Sequence, residues 1–277
     1  MNNSAQAVKD KLKNISREKN IDFNSVMRFY LYDRFVKRLS KSKYKDNFIL
    51  KGGFYLSKLF GLDNRSTMDI DTAIRKVEFT EENLIKMINE IINIDVEDNV
   101  KFKIEKTEPI RDEDEYGGLR ITINFMLEKI KDKFHIDLAT GDPIYPRPDN
   151  YRYESLTEDE IYKVWSYNLE TILAEKIETI LSKLETSSRM KDYYDIYLIY
   201  KFKFDKIDRE KFRGSVEKTF KKRKFDADLM TNLNIVKESS ILKEKWISYA
   251  RKNNYAKDIP FEETLKCLED FIKKLNY

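Results

Sequence analysis

Lys51-Gly52-Gly53 is followed, after a short loop, by Arg65-Ser66-Thr67-Met68-Asp69-Ile70-Asp71. The chain has only seven glycines in 277 residues, and two of them are adjacent here. Adjacent glycines let a backbone approach a phosphate closely. Asp69 and Asp71 are one residue apart in a predicted strand, so both carboxylates point to the same face. Such a pair can hold Mg²⁺ between a protein and a nucleotide, and the stretch therefore predicts nucleotidyl transfer.

The composition is that of a folded protein with a highly charged surface. Hydrophobic residues make up 41% of the chain and charged residues 37%. No stretch approaches the roughly 20 apolar residues needed to span a bilayer, and Met1-Asn2-Asn3-Ser4 lacks the apolar core of a signal peptide. The lone cysteine, Cys267, excludes an internal disulfide and agrees with a reducing compartment. We therefore expect a cytoplasmic protein that makes no membrane contact.

Hydrophobic periodicity divides the chain into two halves. In the first half it predicts helices at 5–19, 23–40, 54–60 and 80–92, and strands at 68–74, 100–106, 119–127 and 133–139. The segment 141–148 holds three of the five prolines and marks a boundary. Beyond it, helices are predicted at 169–184, 190–200, 208–222, 240–252 and 261–275. We expect an α+β fold, with a small mixed sheet flanked by helices in residues 1–148 and a helical bundle in residues 149–277.

A third carboxylate, that of Asp137, strengthens the interpretation of Asp69 and Asp71 as a site. Asp137 stands between Ile136 and Leu138 on a predicted strand, so the two apolar residues face the core and the aspartate faces the other side. If this strand lies beside the strand of Asp69 and Asp71, three carboxylates converge. Phosphoryl-transfer sites with two metal ions need such a cluster.

The predicted helix at 169–184 carries Lys176 inside its apolar stripe. A lysine there either extends to the surface or has an anionic partner, and a triphosphate would serve. In the next helix, Asp192 and Asp195 fall on an apolar face, which is costly unless the carboxylates are paired. Either aspartate could pair with Lys176 or Arg65 as structure, or orient an attacking hydroxyl as chemistry. Periodicity leaves both interpretations open.

The sequence argues against several other kinds of functional site. A single histidine, His135, argues against histidine-rich zinc sites. The glycine patterns of P-loop and Rossmann nucleotide sites are absent, as is the G-x-S-x-G elbow of hydrolases. Between Lys201 and Lys224 there are eleven basic and four acidic residues. This run is either an electrostatic footprint for phosphates or a solvated helix face.

Five short motifs in order resemble the AbiEii family of nucleotidyltransferase-like toxins, with the MenT toxins as close relatives. They are Leu50-Lys51-Gly52-Gly53, Arg65-Ser66-Thr67-Met68-Asp69-Ile70-Asp71, Asp137, Ala174-Glu175-Lys176 and Lys191-Asp192-Tyr193-Tyr194-Asp195. The stretch from Arg34 through Arg38-Leu39-Ser40 is similar to the helix that precedes the glycines in the family. One departure is Phe54, where a small or hydroxylated residue is more usual, and this leaves the base preference open.

The resemblance implies a DNA polymerase β-type nucleotidyltransferase core with a helical C-terminal domain. Such proteins are the toxins of toxin–antitoxin systems, several of them linked to abortive infection and antiviral defence. The known acceptors of MenT-like members are tRNA 3′ ends, and the nucleotide comes from an NTP. A cognate antitoxin is implied, with or without direct contact.

The resemblance also implies roles for individual residues. Lys51, Gly52, Gly53, Arg65, Ser66 and Lys176 would bind the nucleotide. Asp69 and Asp71, with Asp137 as a third carboxylate, would bind Mg²⁺, and Asp192 would be an essential acid that orients the acceptor hydroxyl or holds Lys176. Two alternatives stay open: a toxin that binds nucleotide without transfer, and transfer to a protein or a small molecule.

Overall fold

The computed structural model describes residues 4–65, 67, 69–110 and 117–275. The chain divides into two compact units: Met1–Gly141 with Asp149–Ser166, and Asp142–Pro148 with Tyr167–Tyr277. Every strand found in the described ranges belongs to the first unit, whereas the second unit is helical there. This is the α+β class that the sequence predicts. No helix within the same ranges is long and apolar enough to cross a membrane.

The first unit is built on one mixed β-sheet. Its elements are α1 (Ala5–Lys19), α2 (Phe23–Lys41), β1 (Phe48–Leu50), α3 (Gly52–Phe60), β2 (Asp69–Ile74), α4 (Glu81–Ile92), β3 (Lys101–Ile110), β4 (Gly118–Leu127), β5 (Ile130–Ala139), β6 (Asp149–Glu154) and β7 (Ile161–Ser166). The strand order is β3-β4-β5-β2-β1-β7-β6. The pairs β2–β5 and β1–β7 are parallel, and the other neighbours are antiparallel.

The core of this unit lies between helix α2 and the sheet. On β5, Phe134, Ile136 and Leu138 are buried, while His135 and Asp137 between them are partly exposed. This alternation places the apolar side chains on one face and the polar ones on the other. Helix α2 begins at the side-chain cap of Asp22, which accepts the Ser25 N–H, and packs against α4, β5 and β7. On β5 the second face of the sheet therefore carries polar side chains.

Several charged side chains of α2 are buried with their partners. The guanidinium of Arg34 is 2.7 Å from Oε1 of Glu158, in the loop between β6 and β7, and the ammonium of Lys37 is 2.7 Å from Oε2 of the same carboxylate. Arg38 makes a two-pronged pair with Asp98, at 2.8 Å for each hydrogen bond. Because buried charges are stable only when paired, this network fixes α2 against β7 and the loop before β3.

We expect replacement of Glu158 by Gln to destabilise the protein at pH 7 and to matter less in acid. Burial raises the pKa of the Glu158 carboxyl, but hydrogen bonds from Arg34 and Lys37 outweigh burial and lower the pKa to about 2 from its ordinary 4.5. A lowered folded-state pKa means that the stabilisation is complete above pH 4.5 and is lost as the pH falls toward 2. Allowing for solvent screening, the loss at pH 7 is about 2 kcal/mol.

The measurement is urea unfolding of wild type and variant between pH 7 and pH 3. The control is Glu90→Gln, which breaks a surface pair with Lys43 whose side chains are 38% and 68% exposed, and it should shift the unfolding midpoint much less than Glu158→Gln does. A difference between wild type and Glu158→Gln that stays constant with pH would contradict the assignment.

The second unit is a helical bundle. Its helices are α5 (Leu169–Lys183), α6 (Met190–Lys203), α7 (Arg209–Lys222), α8 (Leu229–Glu238), α9 (Ser240–Lys252) and α10 (Phe261–Leu275). Helix α5 packs against α6, α7 and α8, and α6 packs against α9 and α10. The proline-rich segment 142–148 joins this bundle through Tyr145. The Tyr145 carbonyl accepts hydrogen bonds from Asn168 and Ser215. The aromatic ring of Tyr145 lies against Gly214.

Two features differ from the sequence-based prediction. Residues 149–166, which the prediction placed in the helical half, form β6 and β7 and extend the sheet of the first unit, because β7 pairs with β1. The predicted boundary after residue 148 therefore differs from the division in the structure. Helix α8, between two predicted helices, was also missed; only Leu233 and Val236 of it are buried, so its apolar signal is weak.

Candidate active site

Strand register brings the three predicted carboxylates together. Strand β2 pairs in parallel with β5, so Asp71 lies opposite Asp137 and Asp69 lies opposite His135. Side chains alternate along strands, and Asp69, Asp71 and Asp137 therefore share one face of the sheet. All three are partly exposed, and this face is opposite to the one that α2 covers. The predicted proximity of the two strands is confirmed, whereas metal binding by these residues stays a prediction.

An arginine that the sequence analysis missed belongs to the same face. Arg120 of β4 lies opposite Asp137 of β5. Its Nε and Nη2 donate hydrogen bonds to the two oxygens of Asp137, each at 2.7 Å, and Nη2 is 3.5 Å from Oδ2 of Asp69. The hydrogen bonds to Asp137 raise the pKa of Arg120, so the guanidinium stays charged. In the sequence, Arg120 stands between the apolar residues Leu119 and Ile121 of a predicted strand. This pattern places Arg120 on the face opposite to the core, and it is the signal that could have identified the residue.

The glycine pair lies against Asp71. Gly52 begins α3 with a φ of +60°, and a Cβ there would lie 2.5 Å from Oδ2 of Asp71. The backbone N–H of Gly53 donates to the same oxygen at 3.2 Å, and the N–H of Lys51 donates to the Asp71 carbonyl at 2.9 Å. The turn from β1 into α3 therefore directs a backbone N–H at the start of a helix toward the Asp71 carboxylate, and helix N-termini are sites that favour negative groups.

The loop before β2 completes this cluster. A Cβ on Gly53 would lie 2.8 Å from Nη2 of Arg65 and 3.0 Å from Oγ1 of Thr67. Arg65 is only 4% exposed, so its guanidinium is held close to the α3 backbone. Ser66, a predicted nucleotide ligand, lies outside the described residues. Lys51, Gly52, Gly53, Arg65, Asp69 and Asp71 are thus brought together, as the order of the motifs predicts.

We expect replacement of Gly52 by Ala to disturb both the backbone and Asp71. A φ of +60° costs an L-residue roughly 1–2 kcal/mol, and the added methyl group would collide with the Asp71 carboxylate. Binding of Mn²⁺, measured by titration, should weaken by about tenfold, since the ligand would be displaced. Gly117→Ala is the matched control, because a Cβ there meets no atom within 4 Å. Unchanged Mn²⁺ binding in Gly52→Ala would show that this close contact does not position Asp71.

The donor set of this face suits Mg²⁺. The ion prefers oxygen ligands and binds through one or two carboxylates together with substrate phosphates. Asp69 and Asp71 supply two such carboxylates on adjacent same-face positions, and the Asp69 side chain is 27% exposed. Among the described residues, no group of three or more His, Cys, Asp or Glu side chains could hold a metal ion. Asp69 and Asp71 would therefore bind the ion together with the phosphates of a nucleotide.

A buried ionic cluster in the second unit contains the other predicted residues. Nζ of Lys176 on α5 is 2.6 Å from Oδ1 of Asp192 and 2.7 Å from Oδ2 of Asp195, both on α6. Nε of Arg189 is 2.8 Å from Oδ2 of Asp192. Burial lowers the pKa of Lys176, but Asp192 and Asp195 outweigh it and raise the pKa. Burial likewise raises the pKa of Asp192, and Lys176 and Arg189 hold it well below its usual range.

This cluster decides between the structural alternatives for Lys176. The lysine does not extend to the surface: its side chain is 9% exposed and paired twice. Among the pairings that periodicity leaves open, the structure shows that of Asp192 and Asp195 with Lys176. Whether these residues act in chemistry stays a prediction.

The basic segment is mostly solvent-exposed. Its exposed cations are Lys201, Lys206, Arg209, Lys211, Arg213, Lys218, Lys221 and Lys224. Arg223 differs from them, because its guanidinium is 2.7 Å from Glu178 and 3.5 Å from Asp142 within the second unit. That arginine is structural, whereas the exposed cations face solvent on and beside α7.

The mixed sheet, the glycine turn and the same-face aspartates define a nucleotidyltransferase-like fold. Two solved structures from Helicobacter pylori are similar over 92% of this chain. JHP933 is 16% identical, with 94% of its chain covered and a TM-score of 0.54. A provisionally assigned nucleotidyltransferase is 17% identical, with 98% of its chain covered and a TM-score of 0.52. At such identities the likeness shows the fold alone. A comparison with curated proteins gives no match.

The family follows from the sequence itself. The family model described as "Nucleotidyl transferase AbiEii toxin, Type IV TA system" matches residues 34–271. The chain therefore belongs to the AbiEii family, as the five motifs predict, and its class is that of toxins in type IV toxin–antitoxin systems.

Proposed function

We propose that this protein transfers a nucleotide from an NTP to an acceptor hydroxyl. The observation that carries the proposal is the contact of the Gly52-Gly53 turn with Asp71, beside Asp69 on the same sheet face. A helix N-terminus that binds phosphates and a carboxylate pair that binds a divalent cation are the two elements that an NTP needs. Family membership supports an enzyme of this class.

In this proposal the site residues of the first unit have separate roles. The backbone N–H groups after Lys51, with Arg65 and Ser66, hold the triphosphate, and Asp69 and Asp71 hold Mg²⁺. The metal supplies charge neutralisation at the phosphates. The acceptor oxygen forms a bond to the α-phosphorus, the bond to the β-phosphate oxygen breaks, and pyrophosphate leaves. The hydroxyl proton passes to solvent.

Lys176 and Asp192 complete the proposal. The resemblance assigns Lys176 to the phosphates and Asp192 to the essential acid, and the ion pair between them supports the interpretation that Asp192 holds Lys176 in place. A lysine fixed by two carboxylates keeps its charge and has few conformations, which lowers the entropy cost of binding an anion.

We propose RNA, and specifically the tRNA 3′ end, as the acceptor. The exposed cations around α7 support this, because a basic surface attracts a phosphate backbone without reading its sequence. The cognate antitoxin would neutralise this activity in the cytoplasm, and the system would act in defence against phage.

The acceptor is tested by incubating the protein with Mg²⁺, each α-³²P-labelled NTP, and a mixture of total bacterial RNA and protein. We expect label that is removed by RNase and migrates with tRNA on a gel. The NTP that gives this label is the nucleotide substrate. Label that resists RNase and is removed by protease would replace RNA by a protein acceptor. Binding of NTP without any incorporation would favour a toxin that acts by binding alone.

A further inference from the structure

Arg120 binds Asp137, the third carboxylate of the sheet face that carries Asp69 and Asp71. Its Nε and Nη2 engage both oxygens of Asp137 at 2.7 Å, which is the two-pronged geometry in which guanidinium binds carboxylate most strongly. The pair is set by strand register, because the two residues lie directly opposite each other on β4 and β5. The contact is therefore built into the sheet and does not depend on a flexible loop.

The charges of the face agree with a single divalent cation. The Arg120 guanidinium is hydrogen-bonded to Asp137 and lies 3.5 Å from Asp69, and Asp71 lies opposite Asp137 on the neighbouring strand. The positive charge of Arg120 therefore neutralises the Asp137 carboxylate. Nη2 of Arg120 also lies 3.5 Å from Oδ2 of Asp69, so a second divalent ion between Asp137 and Asp69 would sit against a fixed positive charge. At such distances like charges repel strongly even with solvent screening.

We propose that Arg120 takes the place of a second metal ion, so that Asp137 positions Arg120 while Asp69 and Asp71 alone hold the metal. This inference rests on the proposed function, since it concerns the metal of the same site. It makes Arg120 and Asp137 positioning residues, and it replaces the expectation that Asp137 is a metal ligand. The site uses one exchangeable cation, which arrives with the nucleotide, and one permanent cation, which the chain supplies.

The first test compares the affinity for Mn²⁺ of variants that each lack one carboxylate. Each protein is titrated with Mn²⁺ alone, and the concentration of free Mn²⁺ is measured by electron paramagnetic resonance. Asp69→Asn should weaken Mn²⁺ binding tenfold or more, while Asp137→Asn should change it less than threefold. Equal weakening by the two variants would overturn the inference and leave the proposed function standing. No weakening by either variant would contradict the metal site itself, and the inference with it.

The second test removes the permanent cation. Arg120→Gln should tighten Mn²⁺ binding about tenfold, because a positive charge is lost and Asp137 becomes available. Addition of Asp137→Asn to that variant should abolish the gain. Arg120→Lys keeps the charge and should stay within threefold of wild type, which separates charge from a general disturbance of the sheet. Lys106→Gln is the matched control, since Lys106 is a cation of neighbouring β3 that pairs with Glu108 instead.

Two outcomes of the second test contradict the inference. In the first, Arg120→Gln binds Mn²⁺ as wild type does. In the second, the gain survives the addition of Asp137→Asn. If Arg120→Gln fails to fold, as judged by circular dichroism, the comparison of Asp137→Asn with Asp69→Asn and of Arg120→Lys with wild type decides the question. Binding of two Mn²⁺ ions per chain by the wild-type protein would also overturn it.

Discussion

Replacement of Asp69 by Asn lowers nucleotide transfer by about a thousandfold or more in our account, with the fold intact. The loss of one of two metal-binding carboxylates removes several kcal/mol of charge stabilisation at the phosphates. Asp69 is preferable to Asp71 for this test. Asp71 also accepts the Gly53 N–H and lies against Gly52, so its replacement would disturb the turn.

The measurement is the rate of incorporation of α-³²P-labelled NTP at saturating acceptor, with circular dichroism as a check on folding. Asp132→Asn is the matched control. It makes the same chemical change at an exposed position of β5 in the same unit, and it should keep transfer within twofold of wild type. Transfer by Asp69→Asn at more than a tenth of the wild-type rate would show that this carboxylate is not a metal ligand.

Replacement of Lys176 by Met is expected to destabilise the second unit by about 3–5 kcal/mol, because it leaves buried carboxylates without their partner. Asp192 and Asp195 are each fully buried, and Lys176 contacts both. The same change at Lys243, whose pair with Glu262 has side chains that are 56% and 61% exposed, should cost less than about 1 kcal/mol.

The two tryptophans allow this unit to be followed separately. Trp246 is buried in the second unit, and Trp165 lies in the first. In a Trp165→Phe background, the fluorescence of Trp246 during urea unfolding reports the second unit alone. An equal effect of Lys176→Met and Lys243→Met would contradict the view that the buried cluster is a structural requirement.

Much of the fold was predictable because its signals are local. The alternation of Phe134, Ile136 and Leu138 with polar residues shows which face of β5 is buried. By contrast, β6 and β7 were missed because each is only six residues long and β6 is largely polar. Their pairing with distant β1 decides their conformation, and a sequence window does not contain that partner.

The residues of the candidate site also differ in whether their positions can be predicted from neighbouring sequence or depend on distant strands. The spacing of Asp69 and Asp71 places both on one face, and the sequence alone predicts this. Lys176 and Asp192 were recognisable as charges on apolar faces that require partners. Arg120 was not, because its role depends on the register of β4 against β5, which sets it opposite Asp137. Cross-strand register is the information that a single sequence carries least directly.

The proposed reaction transfers a nucleotidyl group and releases pyrophosphate. It can be tested with two preparations of the same NTP, one labelled at the α-phosphorus and one at the γ-phosphorus, with total tRNA as acceptor. We expect label on tRNA only from the α-labelled preparation, and an equal amount of γ-label released as pyrophosphate. Label transferred from the γ position, or no release of pyrophosphate with any NTP, would contradict it.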